Sequence, residues 1–135
     1  MRSNSLGRAF LIGSLGALCT AASCRDPVAR SDTHVTGSYT LVGINGSALP
    51  ATLATGNRVT GGSLELRPDH SFVQPITACI GWPDRCTHGF TINEGTWSLA
   101  AGQLTLTSGT FTLTGEADGQ VVKLHLLSDL LEFER

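Results

Sequence analysis

Leu104-Thr105-Leu106-Thr107-Ser108-Gly109-Thr110-Phe111-Thr112-Leu113-Thr114 (residues 104–114) alternates apolar and hydroxyl-bearing side chains on both sides of a Ser-Gly pair. Successive side chains of an extended strand point to opposite faces, so this spacing predicts two strands, each with one buried face. Leu104, Leu106, Phe111 and Leu113 fall on that face. Thr105, Thr107, Thr110, Thr112 and Thr114 make a polar outer face that prevents sheet stacking and by itself implies no binding. Ser108-Gly109 accepts turn geometry at low cost and joins the two strands as a hairpin.

The same pattern extends in both directions. Tyr39 and Leu41, Leu64 and Leu66, Phe72 and Ile76, Phe90 and Ile92, and Trp97 and Leu99 mark strands upstream. Val122, Leu124 and Leu126, then Leu131 and Phe133, mark two more downstream, which makes nine short strands. Turn residues separate them at Pro68-Asp69-His70, Asn93-Glu94-Gly95, Ala101-Gly102, Asp118-Gly119 and Ser128-Asp129. Intervals of roughly eight to twelve residues with no helical segment between them indicate sequential antiparallel hairpins. The chain is therefore expected to be all-β, an up-and-down meander of about eight or nine strands. A single open sheet of that size leaves its apolar face in water, so it closes into a barrel or folds over as a β-sandwich. The barrel is the expected form, because closure removes exposed strand edges.

Residues 45–62 break the pattern. Asn45-Gly46 is a turn signal, Leu49-Pro50 ends an extended piece, and Ala51 to Gly62 reads as an irregular loop or one short helical turn. Such a segment between the first and second strands is expected to lie across one end of a barrel, as a plug or a lid. Asn45-Gly46-Ser47 also fits a glycosylation acceptor, although the turn alone accounts for these residues.

The N-terminus reads as an export signal at residues 1–23. Arg2 and Arg8 precede an uncharged run, Ala9 to Cys19, and the small residues Thr20, Ala21, Ala22 and Ser23 lead into Cys24. A charged segment, an apolar segment and a small-residue cleavage site are the three parts of a secretory signal. The apolar run is about half the ~20 residues a membrane-crossing helix needs, so it is not expected to remain as an anchor. Ala21-Ala22-Ser23-Cys24 resembles a bacterial lipobox, in which the Cys thiol is acylated and becomes the new N-terminus, with Ala21 where a large aliphatic residue is usual. The alternative is a soluble secreted protein cut after Ala22 or Ser23. Residues 24–36 read as a flexible tether and residues 37–135 as one domain.

Composition narrows the function classes. From Arg25 onward 111 residues remain, enough for a single core. Two of the nine basic residues leave with the signal and all eleven acids stay, so seven against eleven gives a net charge of −4. Nucleic acid is not an expected partner. The basic residues are scattered, so membrane attachment is expected through the N-terminal lipid alone.

The opening Gly37-Ser38-Tyr39-Thr40-Leu41, followed by Ile44-Asn45-Gly46 and Leu49-Pro50, resembles the start of small secreted bacterial β-barrel proteins of the lipocalin-like, calycin-type group. In lipocalins a Gly-x-Trp motif begins the first strand, and an arginine on or after the last strand packs over that indole. Tyr39 and Arg135 stand at those places here, with Tyr replacing Trp, and the family's Thr-Asp-Tyr motif is absent. The resemblance implies an up-and-down barrel of about eight strands, either enclosing an apolar cavity or filled by side chains. Its ligand does not carry over.

The residues with chemistry are few. Cys79 and Cys86 lie at the base of one hairpin loop and are expected to form a disulfide, since removal of Cys19 and acylation of Cys24 leave an even pair in an oxidising compartment. Closing so short a loop removes unfolded-state entropy worth about 2.5 kcal/mol. Trp82, beside Pro83, Asp84 and Arg85 on that loop, either contacts a partner or folds back over the barrel. A zinc site drawn from Cys79, Cys86, His88 and His70 lacks Cys-x-x-Cys or His-x-x-x-His spacing, so no metal is expected. The bases His34, His70, His88 and His125 accompany no nucleophile elbow, HExxH or phosphate loop, and Glu132 and Glu134 share a solvent-facing strand face. No catalytic residue and no cofactor is expected. The leading expectation is non-catalytic binding of a small hydrophobic ligand, with Tyr39, Leu49 and Trp82 as candidate contacts. The other is an interaction module that meets an envelope protein through the Cys79–Cys86 loop.

Overall fold

The structure is a computed structural model that describes residues 32–109 and 111–135. The signal at residues 1–23, the lipidation candidate Cys24, the tether as far as residue 31 and Thr110 lie outside the described residues.

After a 3-10 turn at Asp32–His34 the chain forms β1 (Gly37–Ile44), β2 (Ser47–Ala48), β3 (Ala51–Thr52), β4 (Arg58–Leu66) and β5 (Ser71–Ile80). There follow β6 (Thr87–Ala100), β7 (Gln103–Ser108), β8 (Phe111–Ala117), β9 (Val121–Leu126) and β10 (Asp129–Glu134). β1, β4 and β5 to β10 form a closed antiparallel barrel of eight strands. β1 closes it by pairing with β10 along one edge and with β4 along the other, so the sheet does not open into a sandwich. The two-residue strands β2 and β3 are extra, added to β1 and β4.

β7 and β8 fold as their alternation dictates. Leu104 and Leu106 are fully buried, while Thr105 stands opposite Thr114 and Thr107 opposite Thr112 on the outer face. Gly95 and Gly115 sit at inward positions, where a Cβ would collide with the carbonyl oxygens of Thr107 and Lys123. Only glycine lets neighbouring strands approach so closely, and this permits the sharp coiling of a small barrel.

Two expectations change. Phe90–Ile92 and Trp97–Leu99 belong to the single strand β6, and Asn93-Glu94-Gly95 runs straight through it without turning. The reason is phase. Counting back in twos from buried Trp97 reaches Gly95, Asn93 and Thr91, so Phe90 and Ile92 point outward, 64% and 54% exposed. Judged by apolarity alone, that change of phase imitates a turn. Residues 45–62 contain no helical turn; they hold β2, β3 and the beginning of β4.

The barrel's two ends differ. The turns after β4, β6 and β8 gather at one end with the 3-10 turn and Arg135, and this end is plugged. Val35, Tyr39, Trp97 and Phe133 are buried there. The Tyr39 hydroxyl donates to the Val35 carbonyl at 2.6 Å. Arg135 lies 4.9 Å over the Tyr39 ring and donates to its hydroxyl at 3.1 Å and to the Thr36 carbonyl. The Trp97 indole donates to the Arg67 carbonyl at 3.0 Å and stacks on His70, whose ring is 3.7 Å from the Asp32 carboxylate. The packed body thus begins at the 3-10 turn and Val35, just before β1.

Tyr39 is the chain's one tyrosine. Burial pushes its phenol above the ordinary value, against the opposing charge and hydrogen bond of Arg135. The unfolded chain ionises first as pH rises, so the contribution of the neutral buried phenol is complete below the ordinary tyrosine pKa and is lost above it. Alkaline absorbance titration is expected to give a midpoint above that of free tyrosine. The urea midpoint is expected to fall once pH passes about 10.

Candidate functional site

The other end carries the hairpin turns β5–β6, β7–β8 and β9–β10, and residues 45–57 cross it as a strap between β1 and β4. The strap is held by polar contacts at both of its bends. Asn45 adopts a left-handed backbone (φ 51°), which its short polar side chain tolerates. Its backbone N–H donates to the Leu130 carbonyl and its side-chain oxygen accepts from the Leu130 N–H, each at 2.8 Å. The Asn45 amide also donates to Asp129 at 2.8 Å. Asp129 is 4% exposed, and its second carboxylate oxygen accepts from the Ala54 N–H at 2.9 Å. A carboxylate is buried at low cost only when such donors surround it. One acid therefore ties the turn after β1 and the middle of the strap to the β9–β10 hairpin.

Leu53, the residue before the Asp129-bound amide, projects over a cavity of about 160 Å³ in this half of the barrel. Val59, Ile76, Leu113, Leu126 and Leu131 line its walls, with Phe111 at the rim of β8. The polar members of the lining are Gln74 and Asn93. The Asn93 amide donates to the Gln74 side-chain oxygen at 3.1 Å, and Gln74 is 1% exposed. Among the described residues nothing accepts from the Gln74 side-chain nitrogen. The cavity is only partly enclosed, and strand pairing shows where its wall is interrupted. β6 pairs with β7 only from Thr96 onward and β8 with β9 only from Thr114 onward, so Asn93 and Phe111 both stand beyond the last rung.

The expected contacts fall elsewhere. Tyr39 is in the plugged end, and Leu49, held by its N–H to the Val42 carbonyl at 3.3 Å, packs against the core outside the cavity lining. Trp82 is 44% exposed and stacks over the Arg58 guanidinium at 4.4 Å, on the outer wall beside β4. The Cys79 and Cys86 sulfurs are bonded at 2.09 Å, which removes both from any metal site, and His88 lies 4.0 Å from the Cys86 sulfur. The histidines do not converge: His34 is in the 3-10 turn, His70 on Trp97, His88 by the disulfide and His125 on the outer face of β9. A second, broader depression of about 670 Å³ crosses the outer face of β7 to β9, with Gln103, Thr114, Glu116, Lys123 and His125 in its lining; it is shallow and polar.

Gln74, Asn93 and Asp129 were not foreseen from the sequence. Gln74 did leave a trace there: it stands midway between Phe72 and Ile76, where the alternation calls for an apolar residue.

Asp129→Ala removes the acceptor shared by Asn45 and Ala54 and is expected to destabilise the barrel by about 2–4 kcal/mol in urea denaturation. Faster hydrogen exchange at the Ala54 amide should accompany that loss, because the strap lifts. Comparison with known proteins finds no family model, curated protein or solved structure that matches the chain.

Proposed function

We propose that this chain is an exported envelope protein, anchored through an acylated Cys24, whose barrel binds a small apolar ligand without catalysis. The observation that carries the reading is the cavity beneath the strap, apolar on nearly all sides and reached where the barrel wall is interrupted. Binding sites for small molecules are concave, mostly apolar and furnished with a few placed polar groups, and Gln74 and Asn93 supply those groups. Export is supported by Arg2 and Arg8 ahead of the uncharged run, by the small residues before Cys24, and by the Cys79–Cys86 disulfide, which suits an oxidising compartment. Native mass spectrometry after exposure to an envelope lipid extract is expected to show one retained small molecule. Leu113→Trp, which fills the cavity, should release it. Retention of nothing by the parent chain, or retention unchanged in the filled variant, would refute the proposal.

A second reading rests on a separate observation. Trp82, Phe90 and Ile92, all on the outer side of the β5–β6 hairpin, are between 44% and 64% exposed. Grouped exposed apolar side chains mark contact surfaces, and the disulfide stiffens this loop. On this reading the hairpin docks on an envelope protein, and Trp82→Ala is expected to abolish co-purification of that partner while leaving the unfolding free energy from urea denaturation within about 0.5 kcal/mol of the parent.

A further inference from the structure

We infer that the cavity selects a compact, neutral, apolar molecule bearing one carbonyl-type oxygen, and that the Gln74 side-chain amide donates the hydrogen bond that recognises it. The inference rests on reading the cavity as a binding site and adds the ligand's chemical class. Gln74 lies at an inward position of β5, almost completely buried, with its oxygen already occupied by Asn93. Its nitrogen carries two N–H donors, and among the described residues neither has an acceptor. Leaving a buried donor unpaired costs stability, so a barrel that held only hydrocarbon would be better served by leucine or methionine there. An acceptor brought in by the ligand removes that cost.

The rest of the lining excludes other classes. No Lys, Arg or His lines this cavity, so a carboxylate or phosphate would be stripped of water without a countercharge. Equally, no carboxylate lines it to hold an ammonium group. A neutral molecule remains. At about 160 Å³ the space is close to an apolar cavity of about 150 Å³ that takes up benzene, which sets the size near a six-membered ring with one substituent. The donor is a side-chain amide, and its best match is an sp² oxygen of a ketone, ester or amide.

Cyclohexanone and methylcyclohexane form a matched pair of probes, equal in heavy atoms and differing in the acceptor; cyclohexanecarboxylate adds the charge. Titrations of the purified, isotope-labelled chain followed by NMR are expected to show saturable shifts of the Leu113 and Leu131 methyl resonances with the ketone and the hydrocarbon but not with the carboxylate. The Gln74 side-chain amide resonance should move with cyclohexanone and stay in place with methylcyclohexane. In Gln74→Leu the preference for the ketone over the hydrocarbon should drop about five-fold, the worth of one neutral hydrogen bond. If both neutral probes bind while the Gln74 amide does not respond and the variant keeps the parent preference, the inference is overturned and the cavity remains a site for hydrocarbon. If neither probe shifts the methyl resonances, the cavity is not a binding site and both readings fall. The amide resonance is read on the parent chain and so does not depend on the folding of the variant.

Discussion

β1 is hydrogen-bonded along one edge to β10 and along the other to β4. Without the ladder to β10 the remaining strands would be an open sheet whose apolar face, with Leu64, Leu104, Leu106 and Leu124, stood in water. Closure turns that face into an interior and consumes two exposed edges at once. It also brings the first and last strands together, and so places Arg135 over Tyr39. Burial of each large apolar side chain in that interior is worth roughly 1.5–3 kcal/mol, but only once the ring is complete.

The ring has two mouths, and the chain treats them differently. One is plugged by aromatic rings whose polar tips are all satisfied: the Tyr39 hydroxyl by Val35 and Arg135, the Trp97 indole by Arg67. The other is bridged by a strap that depends on polar contacts, chiefly Asp129 with Asn45 and Ala54. A plug of close-packed rings has little freedom. The strap is tied chiefly through that one acid, and it leaves about 160 Å³ beneath Leu53.

Gln74 is where local chemistry and fold disagree. The strand requires an inward side chain at that position, and an apolar one would satisfy both packing and solvation. The amide is half-compensated by Asn93 and otherwise exposed to an apolar space. Departures of this kind gather at functional sites in otherwise consistent structures, and the ligand chemistry inferred for the cavity rests on this one.

Period-two alternation determined most of the architecture, because a strand's side chains reveal which face is buried wherever the apolar residues keep one phase. Leu104, Leu106 and Leu113 kept it; Phe90 and Ile92 did not, and one long strand was read as two. The turns other than Asn93-Glu94-Gly95, the barrel form and the Cys79–Cys86 pair were likewise legible in neighbouring residues. The site was not. Gln74 meets Asn93, Leu53 and Leu126 line one cavity, and Asp129 meets Ala54 across sequence separations that alternation does not encode, since it specifies facing within a strand and not which strand stands beside it. Whether the interior is filled or hollow is set by how side chains from different strands share one volume. That sum is made only when the ring closes.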